Sequence, residues 1–172
     1  PNTVHVETAL EAMECVIVQD LILNETAKFA HIFLPGTSFL EKDGTFINAE
    51  RRINRVRPVT KPLTEMHEWE VTQALVNALG YPMHYDSPAE IMDEIAALTP
   101  TFKGVSFEYL DRVNSVQWPC NDDAPDGTPV MHVNQFVRGQ GMFAITEYQP
   151  TDEKTNRKFP LLLTTGRKLH QY

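Results

Sequence analysis

The chain has 172 residues, 42% of them hydrophobic and 22% charged, which suffices for a buried core and one to two domains. A net charge of −8 argues against a nucleic-acid-binding protein, and no apolar run approaches the ~18 residues of a membrane span. Two cysteines, Cys15 and Cys120, lack CxxC spacing and so support neither a zinc site nor a disulfide framework. The apolar neighbours of Cys15 predict a buried free thiol.

Val6, Ala9, Leu10 and Met13 recur at helical spacing, so residues 4–13 read as an amphipathic helix. Cys15 to Val18 is a short β-branched run, read as a buried parallel strand that ends at Gln19 and Asp20. Residues 24–30 read as a short helix with Asn24 as its N-cap, and His31 to Leu34 as the next buried strand. Strand, helix and strand make a right-handed βαβ unit. The fold class this predicts is α/β, the tail of a doubly wound parallel sheet.

From 64 to 79 the pattern is helical, with Met66, Trp69, Val76 and Leu79 on one side and Gly80 at the C′ position. Ser87-Pro88-Ala89-Glu90 is a capping box with proline at the first helical position. The helix after it turns Ile91, Met92, Ile95 and Leu98 inward and stops before Pro100. Residues 118–130 hold three prolines, three aspartates and a glycine, and read as a long ordered loop. Gly141 to Ile145 and Pro160 to Thr165 read as strands, with a hydrophilic loop over 152–158 between them. The expected organisation is an α/β part over 1–120, a linker region with short strands over 121–158, and the first strand of a further domain over 159–172.

The densest chemistry lies in Leu34 to Val56, LPGTSFLEKDGTFINAERRINRV. A buried strand delivers the chain to a Pro35-Gly36 turn, and ligands in open α/β sheets sit beyond such carboxyl ends. A hairpin turn is expected at Asp43-Gly44. Over 42–61, Lys42, Arg51, Arg52, Arg55, Arg57 and Lys61 stand against Asp43 and Glu50, a local +4 from six positive and two negative groups. Such a cluster contacts phosphates or an acidic partner, or else forms a solvated hairpin face. If it serves a site, at least one arginine should pair with Glu41 or Glu50, and Arg51 or Arg52 should lie nearer the ligand than Arg55 and Arg57.

Other catalytic patterns are missing. His31, His67, His84 and His132 have no HxxxH or HExxH spacing, and Ser38 and Ser106 lack the G-x-S-x-G elbow. There is no Walker A loop, no GxGxxG and no CxxC cluster.

The block resembles the LP-x5-E-x2-G-x3-N-x-E-R-R signature of molybdopterin oxidoreductases, in particular formate dehydrogenase alpha subunits. The matching positions are Leu34, Pro35, Glu41, Gly44, Asn48, Glu50, Arg51 and Arg52. Val16 to Asp20, Gly80 to Tyr85, Gln117 to Cys120 and Leu162 to Arg167 are similar to landmarks of the same subunit, in the same order. The resemblance implies an internal fragment joining the third domain to the start of the fourth, a β-rich molybdopterin dinucleotide-binding domain. It implies a parent that oxidises formate to carbon dioxide with a molybdopterin guanine dinucleotide carrying Mo or W. The metal ligand and the 4Fe-4S cluster would lie in the parent outside this chain, so no catalytic or metal residue is assigned here, and the fragment alone is expected to be inactive. Partners implied are the rest of the catalytic subunit and iron–sulfur or NAD-linked electron-transfer subunits, with a cytoplasmic location. The alternatives are another molybdopterin oxidoreductase, such as a nitrate reductase, and a non-catalytic interaction module built on the arginine cluster.

The candidate site residues rest on strand-end chemistry and on the resemblance together. Gln19 and Asp20 place an amide and a carboxylate at a strand's carboxyl edge, suited to a purine edge or ribose hydroxyls; Asp20 is equally suited to a cap or turn. Gly36 has no side chain to block a nucleotide and can present its N–H, or is simply a tight turn. The resemblance places Glu68 near the same guanine, where the competing role is a first-turn acid stabilised by the helix dipole. Thr165, Gly166 and Arg167 form a strand end with an arginine beyond it, suited to a pyrophosphate. The resemblance adds His170 and Gln171 to that second cofactor-binding group.

Overall fold

The structure is a computed structural model that describes residues 2–166. It divides into two units, Pro1–Met131 and His132–Tyr172.

The first unit opens with helix α1, Thr3–Glu11, whose start is capped where Asn2 Oδ1 accepts from the His5 N–H at 3.1 Å. Strand β1 is Ile17–Asp20 and β2 is Ile32–Pro35, paired in parallel with Ile17 opposite Ile32 and Gln19 opposite Leu34. The connection is one 3-10 turn, Thr26–Phe29, in place of the expected helix; Asn24 Oδ1 does accept from the Ala27 N–H, as a cap would. The ladder starts at Val16, whose carbonyl accepts from His31 and Ile32. Cys15 therefore lies before the strand and is exposed, not buried, and Val16 takes the core position. The two strands pair only with each other, so Ile17 and Ile32 keep over 40% of their surface, more than fully buried parallel strands would.

The second sheet is antiparallel, in the order β3 (Gly44–Ile47), β4 (Arg52–Val56), β5 (Ser115–Gln117). Gly44 faces Val56 and Ile47 faces Ile53, so the hairpin turns at 48–51 and not at Asp43-Gly44. Asn48 decides this, because its Oδ1 accepts from the N–H groups of both Glu50 and Arg52 at 3.0 Å, an Asx turn that sets Arg51 at φ +62°. Strand β5 has no counterpart among the sequence-predicted elements; three residues are too few to show an alternation.

Helix α2, Glu68–Ala78, ends at Leu79 with Gly80 at φ +88°, the expected C′ glycine. Helix α3, Pro88–Leu98, is capped by Ser87 Oγ accepting from the Glu90 N–H. The Glu90 carboxylate accepts from Asp86 N and not from Ser87 N, so the box closes one residue early. Of its expected inward face Met92 is buried, but Ile95 and Leu98 remain 38% and 75% exposed. After a 3-10 turn, Pro100–Phe102, comes a helix unforeseen in the sequence, α4 (Phe107–Val113), capped where Ser106 Oγ accepts from Tyr109 N.

The core of this unit lies under the antiparallel sheet. Ile53, Met92, Val105, Leu110, Val116 and Cys120 are buried together, with Phe102, Phe107, Tyr109 and Trp118 packed around them. Fully burying residues such as Ile53 and Leu110 contributes about 1.5–3 kcal/mol each. Residues 118–130 contain no regular strand or helix, as expected, yet they are well pinned. Thr128 N donates to Gln117 O and Thr128 Oγ1 to Pro119 O, and a Cβ on Gly127 (φ +88°) would meet Gln117 O at 2.5 Å.

In the second unit the described residues contain no helix and no strand. The strands expected at 141–145 and 160–165 are irregular chain, with Phe143, Ile145, Leu161 and Leu163 almost fully exposed. An apolar run becomes a strand only against a partner edge, and these runs have none among the described residues. Its ordered feature is local: Phe136 and Gly139 exchange backbone hydrogen bonds, and the His132 and Phe136 rings lie 4.9 Å apart. No helix among the described residues is long and apolar enough to cross a membrane.

Candidate functional site

The carboxyl ends of β1 and β2 lie side by side, Asp20 opposite Pro35. They bring together Gln19, Asp20, Gly36 and, from the start of α2, Glu68. Gln19 Nε2 is buried and has no hydrogen-bond partner. Leaving such a donor unpaired costs about 1–3 kcal/mol, so it marks a place where an acceptor is wanted.

The other members are occupied. Asp20 Oδ1 accepts from Leu21 N and Oδ2 from Asn24 Nδ2, both at 2.6 Å, so its carboxylate shapes the turn after β1. The Gly36 N–H, expected to be free for a nucleotide, donates to Asp20 O at 2.8 Å. A Cβ at Gly36 would come 3.2 Å from Asp20 C and 3.3 Å from Glu68 Oε1, which gives the missing side chain its reason. Glu68 Oε1 accepts from Thr37 N at 3.0 Å and Lys42 Nζ at 2.8 Å, while Oε2 accepts from Thr37 Oγ1 at 2.5 Å. Burial pushes this carboxyl up, but Lys42 and the two Thr37 donors outweigh it and hold the pKa at about 2.

Glu41 is a second loop pin. It is only 7% exposed; its oxygens accept from Ser38 N at 2.7 Å and Leu63 N at 2.9 Å, and the Ser38 hydrogen bonds lead in holding its pKa below the usual value. Glu41 and Glu68 thus fix the 36–42 segment from two directions. The sequence pointed to Glu68 but not to Thr37, buried and bonded to it; a lone threonine in a turn carries no signal of its own.

The arginine cluster is not a solvated face. Arg52 Nε lies 3.6 Å from Glu50 Oε2, the pairing expected. Arg55, ranked low in the sequence, is more enclosed than Arg52 or Arg57: its side chain is 9% exposed, pairs with Asp43 and Asp111, and stacks 4.1 Å over the Phe107 ring. Arg57 shares Asp111. Arg51 donates to the backbone carbonyls of Trp118, Thr128 (3.1 Å) and Pro129 (2.9 Å). Neither Asp111 nor the carbonyls could be found from spacing, because Asp111 is 54 or more residues away in the chain and the carbonyls 67 or more.

Of the second predicted group, Thr165 and Gly166 are exposed irregular chain in the second unit. Arg167, His170 and Gln171 lie outside the described residues. Among the described residues no three His, Cys, Asp or Glu side chains gather as a metal site.

Residues 1–78 match the family profile described as molybdopterin oxidoreductase. The chain is 40% identical over 173 residues to the F420-dependent formate dehydrogenase 2 subunit alpha of Methanococcus maripaludis, covering 98% of this chain and 25% of that one. It is 36% identical over 177 residues to the F420-dependent formate dehydrogenase subunit alpha of Methanocaldococcus jannaschii, covering 100% of this chain and 26% of that one. It thus spans about a quarter of the length of these curated relatives. Acetylene hydratase from Pelobacter acetylenicus has a similar fold, with a TM-score of 0.53 at 22% identity over 74% of this chain and 18% of the other. The family profile over residues 1–78, from α1 to the end of α2, and the similarity of nearly all of this chain to about a quarter of each alpha subunit lead to one conclusion: the chain belongs to the molybdopterin oxidoreductase family.

Proposed function

We propose that this chain is part of the catalytic subunit of a molybdenum- or tungsten-dependent formate dehydrogenase, and that its own share is to hold the nucleotide ends of the molybdopterin guanine dinucleotide cofactor. The observation that carries the reading is the orphaned Gln19 Nε2 at the carboxyl end of β1. In this family the implied cofactor ends in a guanine nucleotide, whose ring and ribose oxygens are the acceptors such an amide donor lacks.

The bound cofactor supplies the two-electron chemistry between formate and carbon dioxide. The protein supplies binding and orientation. Gln19 donates to the nucleotide, and Asp20 holds the turn beside it through Leu21 and Asn24. Gly36 lets the β1 and β2 ends approach, and Glu68 fixes the loop beyond β2. Thr165, Gly166, Arg167, His170 and Gln171 form a separate group for a second dinucleotide. The similarity of the whole chain to formate dehydrogenase alpha subunits favours formate as substrate over nitrate. A 4Fe-4S cluster, iron–sulfur or NAD-linked electron-transfer partners and a cytoplasmic setting belong to the same proposal.

The test is Gln19→Ala in the full-length enzyme, with guanine nucleotide and metal measured per polypeptide after acid extraction. Losing a net hydrogen bond of about 0.5–1.5 kcal/mol should weaken nucleotide binding about 2- to 10-fold and lower occupancy accordingly. Wild-type nucleotide content across a dilution series would sink the assignment of Gln19.

A further inference from the structure

We propose that Arg51 is a positioning residue: it clamps the 118–129 loop to the β3–β4 turn, fixes the point from which the chain leaves the first unit, and thereby sustains cofactor loading. The inference rests on the nucleotide-binding reading above, because loading is its functional readout.

Four observations converge on Arg51. Its guanidinium serves the carbonyls of Trp118, Thr128 and Pro129, gathering both ends of a loop that has no ladder of its own. Its backbone carbonyl accepts from Trp118 N at 2.8 Å, so main chain and side chain grip the same loop. The Asn48 side chain forces the turn that sets Arg51 at φ +62°, a conformation uncommon for a residue with a Cβ, and without that turn the fork would not face the loop. Lastly, Pro129 is two residues short of the end of the first unit at Met131, so the clamp acts where the chain departs.

The chemistry calls for arginine. A planar guanidinium presents donors in a fixed fork and can meet several carbonyls at once, whereas lysine is a flexible point charge that cannot span them. The neighbouring Arg55 makes a useful contrast. It directs its donors to Asp43, Asp111 and the Gly44 and Val56 carbonyls, none of them in 118–131. Loss of Arg55 therefore destabilises the hairpin without loosening the loop.

The experiment compares Arg51→Gln, Arg51→Lys, Arg55→Gln and Gln19→Ala in the full-length enzyme, following amide hydrogen exchange over 118–131 and guanine nucleotide bound per polypeptide. Arg51→Gln should raise exchange at Trp118 and Thr128 by about tenfold or more and lower nucleotide content several-fold. Arg51→Lys should recover only part of either, and Arg55→Gln should lower thermal stability while keeping both near wild type. Unchanged exchange in Arg51→Gln overturns the clamp. Raised exchange with full nucleotide content, or equal nucleotide loss in Arg55→Gln, overturns the positioning role. A nucleotide loss in Arg51→Gln with none in Gln19→Ala would sink the assignment of Gln19 and keep the positioning role of Arg51; the reverse pattern would keep Gln19 and overturn the positioning role.

Discussion

Replacing Glu68 with glutamine removes the charge that holds the Thr37–Lys42 segment to the start of α2. The carboxylate collects one ammonium and two Thr37 donors, and its pKa falls from an ordinary 4.5 to about 2. At about 1.4 kcal/mol per unit, that gap corresponds to roughly 3 kcal/mol of stability at neutral pH. With the side chain 30% exposed, solvent screening reduces the figure to about 2 kcal/mol. The sign comes from the direction of the shift. A depressed carboxyl pKa stabilises above the unfolded value of 4.5, and the contribution drains away as the pH falls towards 2, with less than half left at pH 3. Glutamine can still accept from Thr37 N, but it leaves Lys42 without its partner. Urea unfolding of wild-type and Glu68→Gln proteins should therefore differ by about 2 kcal/mol at pH 7 and converge as the pH approaches 2. A stability difference that stays constant from pH 7 to pH 2.5 would refute the reasoning, since it would assign the effect of the substitution to shape and not to charge.

Leu110→Ala, in the fully buried centre of α4, should cost about 2–5 kcal/mol by the same unfolding assay. Gly127→Ala should cost at least about 2 kcal/mol and shift the loop after β5, because the new Cβ meets Gln117 O at 2.5 Å in a backbone of φ +88°; a thermal midpoint equal to wild type would show that the loop yields without cost.

Signals confined to a few adjacent residues were legible before the structure. Asn24 caps the 3-10 turn after β1, Ser87 caps α3, Gly80 closes α2, and the β-branched run before Gln19 makes a strand parallel to the next apolar run. These are choices of backbone conformation within one turn or one strand, where a side chain acts on neighbours that covalent connection already supplies. The strand end at Gln19 was legible for the same reason. Whether its amide has a partner was not, since that depends on everything packed around it.

Other features became visible only with the chain folded. The hairpin turned at Asn48 and not at Asp43-Gly44, because an Asx turn that also pairs Ile47 with Ile53 buries an isoleucine completely. The core formed under the antiparallel sheet, with α4 and β5 contributing residues from segments too short to show a period. Residues 141–145 and 160–165 look like strands in composition but are not, as a strand needs an edge and composition cannot provide one. The signature from Leu34 to Arg52 shows the division most clearly. Its residue types identify the family in one dimension, but Glu41 as a loop pin, Arg52 paired to Glu50 and Arg51 as a clamp on a loop 67 residues away were decided by tertiary structure. Charge and turn chemistry are written into the sequence, whereas the partner each charged group finds is set by long-range packing that no local pattern encodes.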